Sequence, residues 1–377
     1  MLVSLKNRIL DKIDSRKVHS TSASRLGGAS FLPAIVLTTI VSTIALGMFN
    51  VEGVDATLSN QSLLVICSMI VLYFVGIYDD IEGMRYKEKF FYQFITAGLV
   101  VYSGICIVDF NGLCGVGAIP TIIGMVFTIV LIVFITNAIN LIDGIDGLAS
   151  MLSIMAFGMY ALMFFLSGDY VNCIFCIAAL GALGPFWHHN VLGIRKRMTS
   201  KIFMGDGGTL VIGFLLSVMA VKLWGSHSLE GERFGYISDY SWVVAFTMLI
   251  IPCFDVVRVV LSRVKEHKPL FLPDKSHFHH KLLALGLTAR QSLMTLVSVN
   301  IIFLAVNWVL ATQHVNITII VFFDIVLWMT IHIILTNKLK KNKWIRLGYP
   351  MLFIFCCGTF IHQNMTLIVT AKCVWGL

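Results

Sequence analysis

Eleven apolar runs, each close to bilayer-spanning length, leave this chain few ways to fold. They lie near 31–50, 62–78, 91–108, 119–137, 148–166, 171–187, 208–225, 241–261, 292–311, 317–335 and 348–370. A helix needs about 20 apolar residues to cross the hydrocarbon core. The last run is diluted by Cys356, Cys357, Gly358 and His362. The chain is 58% hydrophobic and 13% charged, with a mean hydropathy of +0.87, well outside the range of soluble domains. The expected fold is all-α: a polytopic membrane bundle of about ten to eleven transmembrane helices. A basic segment, 1–30, precedes a single integral-membrane domain, 31–377. Charge persists through Arg8, Lys12, Arg16, Lys17 and Arg25, so no cleavable signal pattern is present.

The charges then set the topology. With the N-terminus inside, the cytoplasmic segments are 1–30, 79–90, 138–147, 188–207, 262–291 and 336–347. They hold six, three, no, four, six and five Lys or Arg, which is 24 of the chain's 28. The outer loops and tail keep Arg233 and Lys372, while Lys222 and Arg258 lie within spans. This is a strong positive-inside asymmetry. It also explains the net charge of +8 without nucleic acid, since the basic residues are divided among loops and lack interleaved aromatics. The nine cysteines sit mostly in apolar runs, and Cys173 with Cys176 lacks the second pair a zinc site would need.

Every polar cluster falls on that inner side. The stretch from Phe134 to Ala149 closes an apolar run and places Asn137, Asn140, Asp143 and Asp146 at intervals of three. If the helix continues, they share roughly one face. Two acids and two amides at the mouth of a membrane helix suit a cation and a polar substrate. Asp79 and Asp80 end the second span, where carboxylates oppose the helix macrodipole and repel each other. Such a placement needs a cation, a basic partner such as Arg85, Lys87 or Lys89, or a reactive role as metal-facing acid, base or nucleophile.

Phe203-Met-Gly-Asp206-Gly-Gly-Thr209 precedes the seventh span. Glycines before a helix N-terminus expose N–H groups to an anion, and Asp206 among them suits a divalent metal bridging to phosphates. An ordinary N-cap by Asp206 or Thr209 is the plain alternative. His277, His279 and His280 follow Asp274 and Lys275 in a basic loop. Without an acid at zinc-protease spacing or a cysteine pair, these imidazoles serve better as phosphate donors or proton carriers. Arg16-Lys17-Val18-His19 and Arg25-Leu26-Gly27-Gly28 form a basic, glycine-containing segment that suits lipid headgroups or a phosphorylated ligand. His188-His189 reads as interfacial.

Taken together, in order and on one face, these clusters resemble the polyprenyl-phosphate N-acetylhexosamine-1-phosphate transferase superfamily. The motifs that carry the likeness are Arg16 to His19 with Arg25 to Gly28, Asp79-Asp80 with Lys89-Phe90, Asn137 to Gly147, Phe203 to Thr209, and Pro273 to Leu282. The His loop is similar to that of the WecA/TagO-like branch. It departs from the PxHHHxE pattern of MraY-type peptidoglycan enzymes. Members usually carry a further span before the Arg-Lys-x-His segment, and here about fifteen residues precede it.

The resemblance implies transfer of N-acetylhexosamine-1-phosphate, foremost GlcNAc-1-phosphate, from a UDP-N-acetylhexosamine to undecaprenyl phosphate. UMP is released, and a cell-surface polysaccharide of O-antigen, capsule or teichoic-acid type is initiated. It implies Mg2+ or Mn2+ on Asp206 with help from Asp79, and Asp79 or Asp80 as the base. Asn137, Asn140, Asp143 and Asp146 would hold the nucleotide-sugar, and Phe203 would stack on uracil. Lys275, His277, His279 and His280 would contact pyrophosphate or sugar, and Arg16, Lys17 and His19 would contact the phosphorylated ligand. It also implies the bacterial inner membrane, an active site on its cytoplasmic face, and a homodimer. Phosphoryl transfer needs charge neutralisation and in-line positioning, which a metal, a basic loop and a helix N-terminus provide. Two other readings compete: an MraY-like phospho-MurNAc-pentapeptide transferase and a membrane transporter. A transporter predicts acids near mid-membrane, whereas these gather at helix ends.

Overall fold

The computed structural model describes residues 25–49, 58–192, 202–225, 241–269, 276–339 and 341. A 3-10 turn, Arg25–Ser30, leads into α1 (Phe31–Met48). Then come α2 (Asn60–Glu82), α3 (Tyr86–Tyr102), a hairpin of β1 (Asp109–Leu113) and β2 (Val116–Ala118), α4 (Thr121–Ile142), α5 (Leu148–Leu166) and α6 (Tyr170–Leu192). After these are α7 (Gly205–Trp224), α8 (Ser241–Thr247), α9 (Ile250–Lys265), α10 (Phe278–Ala284), α11 (Ala289–Thr312) and α12 (Ile317–Leu339). Eight described helices are long and apolar enough to span a membrane, and α8 with α9, bent by 52°, form a ninth span if taken as one. The chain is a multi-pass membrane protein built as a helical bundle.

The expected run 91–108 differs. Helix α3 begins earlier and ends at Tyr102, and its first turns carry Lys87, Glu88 and Lys89. A helix of 17 residues rises about 25 Å, short of the ~30 Å core. Ser103 and Gly104, the latter with φ +96°, stop it. The chain then turns into an antiparallel hairpin pairing Asp109 with Ala118 and Leu113 with Val116. This hairpin ties two helix ends together: Trp224 Nε1 donates to the Asp109 carbonyl at 2.8 Å, and Cys114 N–H donates to Thr318 Oγ1 at 2.7 Å. The run 348–370 lies outside the described residues.

The bundle is organised around α7. Its sequence is apolar on every side between Leu210 and Val221, and nearly all of it is buried. That is the pattern of a helix enclosed by others, here α2, α4, α5 and α8 with the 3-10 turn. Its first turn is Gly205-Asp-Gly-Gly, and small residues there let two backbones approach closely. Gly28 lies against Gly208, and Gly27 and Gly28 donate N–H groups to the carbonyls of Phe203 and Met204, each at 3.0 Å. Gly76 of α2 crosses the same turn. A methyl group there would sit 2.5 Å from the Asp206 carbonyl oxygen and 2.5 Å from Gly207 Cα.

Gly76→Ala is therefore expected to lower stability by ~1–3 kcal/mol through overpacking. Gly98→Ala, in a helix with nothing within 4 Å of the added methyl, should be neutral or stabilising by up to ~1 kcal/mol. Thermal midpoints of the two variants, read by fluorescence-detected size exclusion, check this. Equal midpoints would remove the tight crossing as the cause.

Candidate active site

The Gly76 crossing brings the C-terminal end of α2 onto the N-terminal end of α7. Asp80 is buried there, and its two oxygens accept the backbone N–H groups of Asp206 and Gly207, both at 2.9 Å. A carboxylate on free N–H groups at the positive end of a helix is well stabilised. The N–H groups expected to face an external anion are thus taken by Asp80. Asp79 points elsewhere. Its Oδ1 accepts the Met84 N–H at 2.5 Å, and its Oδ2 pairs with Lys89 Nζ at 2.6 Å. Lys89 also pairs with Asp206 Oδ2, so one ammonium group joins the two carboxylates. The cost of acids at a helix C-terminus is offset by Lys89 and by α7.

Asn140 completes this group from α4, donating to Asp206 Oδ1 at 2.9 Å and to Thr209 Oγ1 at 2.7 Å. Asn137, one turn earlier, instead donates to Gln93 of α3 at 2.5 Å and to the Val133 carbonyl at 2.7 Å. It pins α3 to α4 rather than joining the acids. Helix α4 ends at Ile142, so Asp143 and Asp146 leave the shared face and lie in a turn. Asp143 is an exposed residue, yet surrounding protein pushes its carboxyl up to about 7, helped by the charges of Asp146, Asp206 and Asp80. Gly147, at φ +79°, ends the turn, and its N–H is held by Asn190 Oδ1 at 2.6 Å. Asn190 Nδ2 in turn donates to the Ile202 carbonyl at 2.7 Å, fastening the Asp turn to the segment containing Phe203. Phe203 is half-buried beside the 3-10 turn, through its carbonyl bond to Gly27.

The histidines arrive from α10. Asp255 of α9 accepts His277 Nδ1 at 2.8 Å and the Phe278 N–H at 3.0 Å. Arg258 links Asp255, at 3.0 Å, to the Ser276 carbonyl, at 2.5 Å. This anchor lays His279 over Gly144, where an added Cβ would run into the imidazole ring. His280 packs on His279 at 4.2 Å between ring centroids. Neither ring nitrogen of His279 has a hydrogen-bond partner among the described residues. Burial, then the neighbouring His280 and His277, pushes its pKa down to about 3, so the ring is neutral at physiological pH.

The structure thus brings Asp79, Asp80, Asn140, Asp143, Asp146, Asp206, His277, His279 and His280 to one end of the bundle, with Lys89. Arg16, Lys17, His19 and Lys275 lie outside the described residues. Sequence reasoning passed over Asp255, Arg258, Gln93 and Asn190. Asp255 and Arg258 sit three apart in an apolar run, a spacing that signals a helical ion pair.

A family model described as glycosyl transferase family 4 matches residues 62–224, which carry Asp79 through Asp206. A decaprenyl-phosphate N-acetylglucosaminephosphotransferase of Mycobacterium tuberculosis is 30% identical over 295 residues, covering 73% of this chain and 69% of its own. The chain belongs to glycosyl transferase family 4. A probable undecaprenyl-phosphate N-acetylglucosaminyl 1-phosphate transferase of Bacillus subtilis is 28% identical over 331 residues, 87% of this chain and 85% of its own. An undecaprenyl-phosphate alpha-N-acetylglucosaminyl 1-phosphate transferase of Salmonella typhi is 29% identical over 294 residues, 77% and 73% of the two chains. The family match ends before the histidine loop, whereas the Bacillus relative aligns over most of the chain.

The His279 environment gives a pH signature. Its folded pKa lies below the ordinary unfolded value of about 6.5. The unfolded chain therefore binds the extra proton first, and His279's contribution, complete above about pH 6.5, falls as pH drops toward 3. Between pH 7 and pH 5 this amounts to ~2 kcal/mol. Denaturation of His279→Gln at the two pH values should show a correspondingly smaller loss than wild type; an unchanged loss would mean the ring is not held neutral.

Proposed function

We propose that this protein transfers N-acetylglucosamine-1-phosphate from UDP-N-acetylglucosamine to undecaprenyl phosphate, releasing UMP and initiating a surface polysaccharide at the cytoplasmic face of a bacterial inner membrane. The observation that carries the reading is the convergence of Asp79, Asp206 and Lys89 beside Asp143 and His279. Acids, a lysine and a neutral imidazole lie together at one end of the bundle, where apolar helices end. That is where a lipid phosphate and a soluble nucleotide-sugar can meet. The relatives' activities support the class of acceptor and sugar. A homodimer, implied by the resemblance, belongs to the same proposal.

A divalent ion fits this donor set. Asp79 and Asp206 already converge on one positive centre, the Lys89 ammonium, and hard oxygens suit Mg2+ or Mn2+. Among the described residues no three His, Cys, Asp or Glu side chains close around a metal. Mg2+ needs no such cage, since it commonly takes one or two carboxylates plus substrate phosphates and water. Asp206 and Asp79 would hold it, and it would neutralise charge on the diphosphate.

The residues then divide the work. Asp79 has one oxygen on a lysine side chain and not on a helix backbone, so we assign it the proton of the acceptor phosphate. Asp80 has both oxygens on backbone N–H groups. We assign it to holding α2 on α7, which favours a single displacement over an aspartyl-phosphate. The acceptor oxygen attacks the sugar-side phosphorus, the P–O bond to UMP breaks, and UMP carries away the electron pair. Asn140 fixes the Asp206 carboxylate. Asp143 and Asp146 face the nucleotide-sugar, Phe203 stacks on uracil, and neutral His279 donates to the diphosphate or sugar with His280 and Lys275 beside it. Arg16, Lys17 and His19 contact the lipid phosphate.

Detergent-purified protein given UDP-N-acetylglucosamine, undecaprenyl phosphate and Mg2+ should release UMP, and EDTA should stop it. Asp206→Asn and Asp79→Asn should each lose about a hundredfold or more, as expected for removal of charge stabilisation or proton transfer. UMP release with UDP-MurNAc-pentapeptide alone would instead favour the peptidoglycan-type reaction. Silence with all donors from monodisperse protein would reject the transferase.

A further inference from the structure

Asp255 fixes more than the place of α10. It is 1% exposed. Its Oδ1 accepts from Arg258 Nη2 and from the Phe278 N–H, both at 3.0 Å, and its Oδ2 meets His277 Nδ1 at 2.8 Å. Arg258 also donates to the Ser276 carbonyl, so the chain is gripped on both sides of His277.

This grip determines which nitrogen of His277 carries hydrogen. Asp255 is paired with the Arg258 guanidinium, and an ionised carboxylate only accepts hydrogen bonds. Nδ1 is therefore the N–H nitrogen of the His277 ring. A neutral imidazole has one donor and one acceptor nitrogen, so Nε2 is left with a lone pair. Nε2 has no hydrogen-bond partner among the described residues. The side chain keeps 9% of its surface exposed, and Nδ1 is turned onto the buried carboxylate, so the open edge is on the Nε2 side. The ring stands beside that of His279, 5.8 Å between centroids and 9° from parallel, and His279 covers Gly144 in the Asp143–Gly147 turn.

We propose that Asp255 is a positioning residue for donor binding: it holds His277 as the Nδ1–H tautomer, so that Nε2 accepts a hydrogen bond from a hydroxyl or amide N–H of the nucleotide-sugar. This rests on the transferase reading and narrows it. The diphosphate oxygens are acceptors and cannot serve a lone pair, so His277 reads the hydroxyl- and amide-bearing part of the substrate. Asparagine at 255 would reverse the pattern. Its oxygen can keep the Phe278 N–H while its NH2 faces Nδ1, which then accepts, and the ring hydrogen moves to Nε2. A wrong tautomer of this kind leaves the geometry intact and spoils the contact.

Full-length protein labelled with 15N-histidine, purified in detergent at pH 8, above the ordinary imidazole range, reads the tautomer by NMR, with His277→Gln identifying the signal. Wild type should show a protonated Nδ1 and a bare Nε2, and Asp255→Asn the reverse. In the UMP assay, His277→Phe and Asp255→Asn should each raise KM for UDP-N-acetylglucosamine about tenfold, the worth of one hydrogen bond, with a smaller fall in kcat. The double variant should lose little more than either single one, because both act through Nε2. A side chain that merely holds α10 in place would add its full cost to His277→Phe. A wild-type ring protonated at Nε2, unchanged KM in both single variants, or additive losses in the double variant would each overturn the proposal. If Asp255→Asn does not fold, the wild-type spectrum and His277→Phe still decide it. Wild type silent toward every donor would reject the transferase reading and the substrate contact with it, whereas active wild type with unchanged KM in the variants would overturn this inference alone.

Discussion

The contact between Asp80 and the first turn of α7 is the one on which the rest of the site depends. The C-terminal end of α2 carries partial negative charge and the carboxylates of Asp79 and Asp80, and the N-terminal end of α7 carries partial positive charge. Joined end to end, they offset one another through the two N–H bonds to Asp80. The arrangement requires backbones close enough for a buried carboxylate to reach both amides. Gly76 and Gly207 permit that approach. From this join Asp79 and Asp206 are left facing the same ammonium group, and Asn140 can reach Asp206 from α4.

Around that centre the protein uses buried polar side chains as fasteners between helices. Gln93 with Asn137 ties α3 to α4, and Asn190 ties the Asp143–Gly147 turn to the entry of α7. Asp255 ties α9 to α10. In lipid, apolar contact alone distinguishes little between one helix pairing and another, so small residues and interhelical hydrogen bonds set the register. Each fastener ends at the site's side of the bundle or leads to it. A reaction with little covalent work for the protein depends on such placement.

The bundle was legible because spans advertise themselves by length and apolarity. What the pattern could not reveal was how deep each segment goes. The run 91–108 reads as one span, yet Gly104 ends its helix early and a hairpin follows, since a loop outside the core may adopt other backbone shapes. The Asn/Asp stretch shows the same limit more finely. A three-residue spacing predicts one face only while the helix lasts, and α4 stops at Ile142. Asn137 and Asn140 then diverge because their partners, Gln93 and Asp206, come from different helices, which spacing along the chain does not encode. The histidine loop was visible, but its anchor Asp255 was not, since a single acid inside an apolar run has no local partner except Arg258.

The same reasoning separates Asp80 from Asp79, which adjacency in sequence makes equivalent. Successive residues on a helix point about 100° apart. At a helix end, that rotation sends one carboxylate into the neighbouring helix and the other toward Lys89. The buried carboxylate has both oxygens committed to backbone amides, so attack or proton transfer through it would break the join that positions its neighbour. Asp79 instead keeps one oxygen on the Met84 N–H and the other on the Lys89 ammonium group that it shares with Asp206. An adjacent acid pair at a helix terminus can therefore divide, one carboxylate closing a helix junction and the other pairing with a lysine, and the close glycine crossing decides which is which.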